Sequence, residues 1–171
     1  MGFSFRFQSL ESSAQLKRLR DFLSWQDLGY PKYKEWVDKA ENELKTGYKS
    51  AILGSSEGKL VADLIYQPHK NIPSLMEIKN LRVHPSFEMR YFAKFMLKQV
   101  EVDSKQNYNG LIVDTRADRL DFIKFISSCG FKRLVTLPLY GDAKQDIVFV
   151  KSFNPGENKI LTSALEQILP Q

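Results

Sequence analysis

The sequence predicts an α/β fold, with a mixed, mostly antiparallel sheet, helices on both faces and an extra helix at the C-terminus. The apolar residues alternate between strand-like and helix-like periods in the order βααβββαβαββα. That order contains early hairpins and differs from the regular alternation of a doubly wound sheet. The most clearly patterned stretch, residues 75–97, indicates a strand, a proline-marked turn and an amphipathic helix. A chain of 171 residues is long enough for one such domain with its own core.

The N-terminal region predicts one strand followed by two helices. Phenylalanine alternates with polar residues over 3–10, which is the period of a strand. Ser12 or Ser13 can cap the first helix, Pro31 suits the opening of the second, and Gly47 suits its end. The inward-facing residues of the two helices are Leu16, Leu19, Leu23, Trp36, Val37, Ala40 and Leu44.

A hairpin and a loop are predicted next. Residues 48–53 and 60–66 are typical of short strands, and GSSEG at 54–58 is typical of the turn between them. This segment lacks the Lys-Ser/Thr ending of a phosphate-binding loop, so we interpret it as a turn alone. Residues 67–73 contain two prolines and indicate a loop.

The central stretch joins a strand to a helix. Apolar residues from Met76 to Val83 favour the strand, and Pro85 suits the first turn of the helix. Such a junction points unpaired backbone N–H groups and the positive end of a helix dipole outward, where they can hold an anion such as a pyrophosphate. The predicted apolar face of this helix consists of Met89, Phe92, Phe95, Met96 and Val100.

The next part of the chain predicts a buried strand over 111–113 and a helix over 118–129, which Gly130 ends in a left-handed conformation. A closing antiparallel pair follows at 131–139 and 146–153. The predicted core positions of this helix are Leu120, Ile123, Phe125 and Ile126.

A last helix is predicted over 157–169. We therefore expect a domain over 1–153 and a C-terminal amphipathic helix extension over 154–171. The apolar face of this helix must be covered, either by its own domain or by a second subunit in a homodimer. That face consists of Ile160, Leu161, Ala164, Leu165, Ile168 and Leu169.

Composition excludes several classes of protein. The net charge of +5, from 25 basic and 20 acidic residues, permits an anionic partner without requiring one. The single cysteine, Cys129, excludes an intrachain disulfide and a cysteine-built zinc site. Two histidines without clustered carboxylates predict no metal site. No apolar run reaches membrane-spanning length and no secretory segment is recognisable, so we expect a cytoplasmic protein.

The step from Val83 through Pro85 into a helix resembles the acyl-CoA-binding motif of the GNAT superfamily of N-acyltransferases. In that family Arg or Gln, two residues, a glycine, one residue and then Gly or Ala follow the strand. Here Ala93 keeps the final small residue, whereas Glu88 and Tyr91 replace the basic or amide position and the first glycine.

A second segment strengthens this resemblance. FISSCGF at 125–131 resembles the aromatic-rich F-Y-x-x-x-G-F step of the family. By the order of predicted elements, the resemblance extends over residues 4–153. It implies a GNAT-like fold.

The resemblance also implies acetyl-CoA as co-substrate. Strand residues would pair with the pantetheine arm, and backbone N–H groups at the helix start would hold the pyrophosphate. Glu88 would repel that anion, and Tyr91 would limit its approach where glycine admits it. The residues assigned to cofactor binding are Leu81, Arg82, Val83, Met89, Arg90, Tyr91, Phe92, Ala93 and Lys94.

Two residues are candidates for catalysis by the same resemblance. Glu77 occupies a place on the central strand where some family members have a general base; the alternative is a solvated strand glutamate paired with a cation such as Lys79. The tyrosine that assists the leaving thiolate in the family falls at Ile126, which cannot donate a proton. Tyr140 is the candidate substitute. His84 is a turn residue or, alternatively, a base or phosphate contact.

Three functional hypotheses follow. The first is an N-acetyltransferase whose acceptor is a small amine, a peptide amine or an aminoacyl-tRNA. The second is a catalytically inactive GNAT-fold binding or regulatory module, which the replacements at Glu88, Tyr91 and Ile126 favour. The third is an RNA- or tRNA-directed protein, which the net charge and the Lys and Arg residues near the predicted cleft favour. We favour the first.

Overall fold

The computed structural model describes residues 4–27, 29–88, 91–154, 156 and 158–168. Its strands are β1 (Phe5–Ser9), β2 (Ser50–Ser56), β3 (Lys59–Pro68), β4 (Leu75–Val83), β5 (Gly110–Arg116), β6 (Lys132–Leu137) and β7 (Asp146–Ser152). Its α-helices are α1 (Ser13–Ser24), α2 (Tyr33–Lys45), α3 (Phe92–Ser104), α4 (Leu120–Ser128) and α5 (Asn158–Ile168). A 3₁₀ turn covers Pro85–Phe87. None of the helices in these ranges is both long and apolar enough to cross a membrane.

The strands form a seven-stranded sheet in the order β1-β2-β3-β4-β5-β7-β6. The pairs β1–β2, β2–β3, β5–β7 and β6–β7 are antiparallel, whereas β4 and β5 are parallel from Leu75 opposite Gly110 to Ile78 opposite Val113. This mixed, mostly antiparallel sheet confirms the predicted fold class. The chain divides into unit 1, residues 1–67 and 79–99, and unit 2, residues 68–78 and 100–171.

In unit 1, helices α1 and α2 pack on one face of β2 and β3. Helix α1 begins with a capping box, in which Ser12 Oγ accepts from the Gln15 N–H and Gln15 Oε1 accepts from the Ser12 N–H, as the Ser12 prediction anticipated. The buried residues of this core are Leu16, Leu19, Leu23, Val37, Leu44, Ala51, Leu53 and Ile65. Helix α3 covers the other face, because a Cβ built on Gly54 would meet the Phe92 ring at 3.3 Å.

Two boundaries in unit 1 differ from the predictions. Helix α2 begins at Tyr33 and not at Pro31, because Lys32 adopts a left-handed backbone with φ of 56° and sets the helix start after it. The hairpin turn is two residues long and not five: Glu57 and Gly58 both have positive φ, of 51° and 79°. This is the primed turn that matches strand twist, so β2 and β3 continue almost to it.

Helix α3 also begins later than predicted. A 3₁₀ turn follows Pro85, and regular α-helix starts only at Phe92. Phe92, Met96 and Val100 are buried as expected, but Phe95 is 50% exposed and its ring lies 4.4 Å from that of Phe7. Met89, also assigned to the apolar face, lies outside the described residues.

Unit 2 is built around β5, β7 and β6, with β7 paired to both neighbours. A Cβ on Gly110 would lie 2.4 Å from the Lys151 carbonyl oxygen, so this close approach of β5 to β7 requires glycine. Helix α5 covers this core with Ile160 and Ala164, so this part of its apolar face packs on its own unit. Leu169, which was also assigned to that face, lies outside the described residues. The buried residues of the core are Ile72, Leu75, Ile112, Val148, Val150, Ile160 and Ala164.

Helix α4 is shorter and less buried than predicted. It begins at Leu120, whose side chain is 64% exposed and is therefore not a core residue. Ile126 is fully buried, and Ile123 and Phe125 are half-buried. Gly130 follows the helix with φ of 90°, which confirms the left-handed end.

Candidate active site

The turn between β4 and α3 is held by short-range hydrogen bonds and tied to β3. The His84 N–H donates to the Val61 carbonyl at 2.7 Å, and His84 Nδ1 accepts from the Ser86 N–H at 3.2 Å. The Phe87 and Glu88 N–H groups donate to the carbonyls of His84 and Pro85 at 2.8 and 3.3 Å. These bonds make His84 a turn residue, which was one of its two predicted roles.

Tyr91 has the backbone conformation that glycine usually supplies. Its φ is 62°, in the left-handed region, and its side chain is 76% exposed. The Phe95 N–H donates to the Tyr91 carbonyl at 2.9 Å, which begins the hydrogen bonding of α3. The N–H groups of the first turn, at Phe92, Ala93 and Lys94, precede that bond and form the positive end of the helix. The Glu88 side chain is exposed as well.

The other predicted cofactor residues are divided between β4 and undescribed positions. Leu81 is buried, and Arg82 and Val83 are half-buried at the end of β4. Arg82 Nη1 donates to the Leu81 carbonyl at 3.1 Å. Met89 and Arg90 lie outside the described residues. Within unit 1, one strand end and one helix start therefore bring Leu81–Val83 and 91–94 into a single strand–turn–helix segment.

Asp63 on β3 is a buried acid that the sequence analysis did not identify. Its side chain is fully buried, Asn80 Nδ2 donates to Oδ2 at 2.6 Å, and Oδ1 has no hydrogen-bond partner among the described residues. Burial raises the pKa of Asp63 to about 7, although the Asn80 bond and the Arg82 charge lower it. Its signal in the sequence is an aspartate inside the apolar run LVADLI.

Tyr33 lies close enough to this acid to interact with it electrostatically. Burial raises the pKa of Tyr33 to about 12, with Arg82 lowering it and Asp63 raising it. The Tyr33 hydroxyl is therefore protonated, and it donates to the Leu23 carbonyl at 2.8 Å. A neutral phenol and an acid with a pKa near 7 thus share one region of unit 1.

Both predicted catalytic residues belong to unit 2. Glu77 is half-buried on β4 and lies opposite Ile112 of β5 in the register. Tyr140 follows β6 and is 38% exposed. Its hydroxyl donates a hydrogen bond to Asp114 Oδ2 at 2.6 Å, so the phenolic proton points at a carboxylate oxygen on β5. Ile126 is fully buried and is a core residue.

Arg116 organises the chain around Tyr140. Its guanidinium donates to both oxygens of Asp142, at 2.9 and 2.7 Å, and to Asp146 Oδ2 at 3.3 Å. It also lies 5.2 Å from the centre of the Tyr140 ring. The Arg116 bonds lower the pKa of Asp142, whereas burial raises the pKa of Asp146 against the Leu139 N–H bond and the Arg116 charge. These contacts fix the segment between β6 and β7 on β5.

Within the described ranges, no three His, Cys, Asp or Glu side chains are grouped so that they could hold a metal ion. The groups available for chemistry are the N–H groups at the start of α3 and the acid Asp63 in unit 1, and the Glu77 carboxylate and the Tyr140 phenol in unit 2.

Comparison with solved structures identifies the fold. No protein-family model matches the sequence, and no curated protein is significantly similar to it. Solved structures do match: the chain has the fold of the GNAT acetyltransferases.

Three of these structures illustrate the match. A protein from Desulfovibrio desulfuricans assigned to the GNAT family is 16% identical, with a TM-score of 0.69 over 88% of this chain and 99% of that one. The ribosomal-protein-S18-alanine N-acetyltransferase of Escherichia coli is 16% identical, with a TM-score of 0.67 over 88% and 95%. NAA60 of Arabidopsis thaliana in complex with acetyl-CoA is 16% identical, with a TM-score of 0.72 over 88% and 99%.

Proposed function

We propose that the protein is an N-acetyltransferase that transfers the acetyl group of acetyl-CoA to a primary amine. One observation carries the proposal: Tyr91 adopts φ of 62° at the position where the cofactor motif has glycine, and its side chain points into solvent. At this one residue the proposed anion site therefore has the left-handed backbone that glycine would supply. The complex of NAA60 with acetyl-CoA, on the same fold, supports the choice of cofactor.

The residues present fit this cofactor. The N–H groups of Phe92, Ala93 and Lys94 would hold the pyrophosphate at the helix start. Leu81–Val83 would pair with the pantetheine arm. The side chains of Glu88 and Tyr91 are both exposed, so neither is packed into the core of unit 1.

The chemistry divides between the cofactor and two side chains. Acetyl-CoA supplies a thioester whose carbonyl carbon an amine can attack, so that a C–N bond forms, the C–S bond breaks and the thiolate leaves. Glu77 would accept the proton that the ammonium group loses. Tyr140 would donate a proton to the leaving thiolate, after breaking its bond to Asp114.

The acceptor is an amine of one of three classes: a small amine, a peptide amine or an aminoacyl-tRNA. The S18-alanine transferase acts on a protein, which supports a peptide amine. We also propose that residues 1–153 form the transferase domain and that 154–171 form its extension. Location in the cytoplasm and formation of a homodimer stay predictions.

Two substitutions at Tyr91 test the proposed anion site at the start of α3 by calorimetric titration with acetyl-CoA. Glycine accepts positive φ freely and a β-branched residue does not, and the difference is roughly 1–2 kcal/mol or more. We expect Tyr91→Gly to bind as tightly as the wild type or tighter, and Tyr91→Val to bind about tenfold or more weakly.

The matched control is Tyr48→Val, because Tyr48 is also exposed, at 46%, and lies outside the turn. Its affinity should equal that of the wild type. If the wild type fails to bind millimolar acetyl-CoA, or if Tyr91→Val binds it as the wild type does, the proposed anion site is wrong.

A second candidate function, a GNAT-fold module without catalysis, is favoured by two observations. Ile126 is fully buried where the family has an acid, and the Tyr140 proton is already bonded to Asp114. Such a module would bind acetyl-CoA but release no thiol from it.

Release of free CoA thiol with a panel of amines, alanine-terminated peptides and aminoacyl-tRNA distinguishes the two candidates. For a transferase, Glu77→Gln and Tyr140→Phe should each lower kcat by about 10²–10⁴. Glu35→Gln and Tyr48→Phe, which alter exposed residues elsewhere, serve as controls. Binding without turnover across the panel would favour the module instead.

A further inference from the structure

Unit 1 contains a cavity whose lining includes none of the residues assigned to the proposed transfer reaction. Its volume is about 580 Å³, within the range of roughly 300–1,000 Å³ that is usual for small-molecule sites. Three segments form its wall: the second half of α1 with Trp25, the β2–β3 hairpin, and the corner at His84 and Phe87 that follows β4. The cavity is therefore built from ordered elements of one unit.

Aromatic rings form one part of this wall. Trp25 is 60% exposed, and its ring centre lies 5.9 Å from that of Phe22 and 5.3 Å from that of His84. The Phe87 ring stands edge-on to His84 at 6.0 Å. Such a wall can stack against a planar apolar group, since aromatic rings pair in offset and edge-to-face arrangements.

Charged groups of both signs form the rest. Arg18 and Asp21 lie on the face of α1 that also carries Trp25, and Glu57 and Lys59 lie on the hairpin. None of the four forms an ion pair with another residue in the part of the chain that the structure describes. Arg20, on the same helix, pairs with Asp38 and Glu41.

The balance of these charges selects the chemistry of a ligand. Two cationic and two anionic side chains give the wall no net charge. A nucleotide or another polyanion would meet the negative charges of Asp21 and Glu57, and like-charge repulsion would oppose its binding. A simple cation would be repelled in the same way by Arg18 and Lys59. A molecule that carries both charges next to an aromatic ring satisfies all parts of the wall.

We propose that this cavity binds a zwitterionic ligand with an aromatic group, of the chemical class of an aromatic amino acid. Trp25 and its neighbouring rings take the planar group, Arg18 and Lys59 take the carboxylate, and Asp21 and Glu57 take the ammonium. The inference does not depend on transferase activity, and its test requires no acetyl-CoA.

Three probes that share a ring and differ in charge test the proposal by calorimetry and NMR. They are L-phenylalanine, 3-phenylpropionate and phenethylamine. Phenylalanine should bind at least tenfold more tightly than either of the others. It should shift the indole N–H resonance of Trp25, identified with Trp25→Phe, and leave that of Trp36 in place. Equal affinity for the three probes, or tighter binding of the anion or of the cation alone, would overturn the proposal.

Paired variants separate the two charges. Arg18→Gln with Lys59→Gln should weaken phenylalanine, which loses the partners of its carboxylate, and tighten phenethylamine, which no longer meets two cations, so that the two probes bind with similar affinity. Asp21→Asn with Glu57→Gln should weaken phenylalanine to the affinity of 3-phenylpropionate. Trp25→Leu should abolish binding of all three probes, and its thermal unfolding should match the wild type because the ring is largely exposed.

The controls alter exposed charges outside the cavity. Lys17→Gln precedes Arg18 on α1 and does not line the cavity, and Glu35→Gln lies on α2. Both should bind phenylalanine as the wild type does. If these control variants weaken phenylalanine binding as much as the paired variants do, the binding site is not in this cavity and the proposal is wrong.

Discussion

Two buried carboxylates, Asp63 in unit 1 and Asp146 in unit 2, are satisfied in different ways. Both side chains are fully buried. Asp63 accepts one hydrogen bond, from the Asn80 amide. Asp146 accepts from the Leu139 N–H at 3.0 Å and from the Arg116 guanidinium, which also holds Asp142.

The difference shows what each region can do. Burial raises the pKa of both acids, because a charge is poorly solvated inside a protein. Near Asp146 a fixed cation opposes this effect, so the acid belongs to a structural ion-pair network. Near Asp63 only an amide and a more distant arginine oppose it, so this acid exchanges its proton near neutral pH.

Removing the cation should have the largest effect. Arg116→Ala leaves Asp146 buried without its ionic partner, and breaking a buried pair in this way costs about 3–5 kcal/mol. We expect urea unfolding to show a loss of that size in the free energy of unfolding. The control is Lys132→Ala, at an exposed position on β6, which should have the same free energy of unfolding as the wild type. Adding Asp146→Asn should recover part of the loss. A decrease below about 1 kcal/mol would show that the network contributes little.

The Asp63 side of the comparison predicts a pH dependence. Unfolded Asp63 loses its proton near its ordinary pKa of 3.8, whereas folded Asp63 keeps it up to about 7. Between these values the native state binds more protons, so the free energy of unfolding falls as pH rises and levels off above the folded pKa. The fall attributable to Asp63 is roughly 4 kcal/mol at most.

Asp63→Asn should remove this part of the fall, while Asp118→Asn, which alters an exposed acid, should keep it. Urea unfolding at pH values from 4 to 8 measures both. Parallel curves for Asp63→Asn and the wild type would contradict the assignment of the proton to Asp63.

The smallest expected effect is that of Asn80→Ala, which removes the amide partner of Asp63. Its cost should be about 1–3 kcal/mol, that of an unsatisfied buried acceptor, and less than that of Arg116→Ala because Asp63 can stay protonated. The pH window of stability should also move upward. Asn107→Ala, at an exposed position, is the control. A loss equal to that of Arg116→Ala would mean that Asp63 is charged.

Local patterns were sufficient to predict the elements and their order. The alternation at the first strand, the Ser12 cap and the left-handed end at Gly130 each depend on a few neighbouring residues, and the structure confirms them. The residue at which a helix begins was harder to predict than the presence of the helix. Nothing in the sequence near Pro31 distinguishes a helix that begins there from one that begins after a left-handed Lys32.

The polar clusters could not be predicted in this way. Arg116 bonds to Asp142 and Asp146, which are 26 and 30 residues away, and Asp63 meets Asn80 across 17 residues. Such contacts depend on sheet register, which single-sequence patterns do not specify. The roles of Glu77 and Tyr140 stay predictions for the same reason.

The left-handed backbone at Tyr91 has a consequence for recognising related turns in other chains. The direction of main-chain amides depends on torsion angles and not on the identity of the side chain, so a motif that demands glycine at this place rejects a chain in which another residue adopts the same backbone conformation. Asparagine and aspartate enter this region more readily than other residues with a side chain. A profile that scores tolerance of positive φ would retain such sequences, including this one.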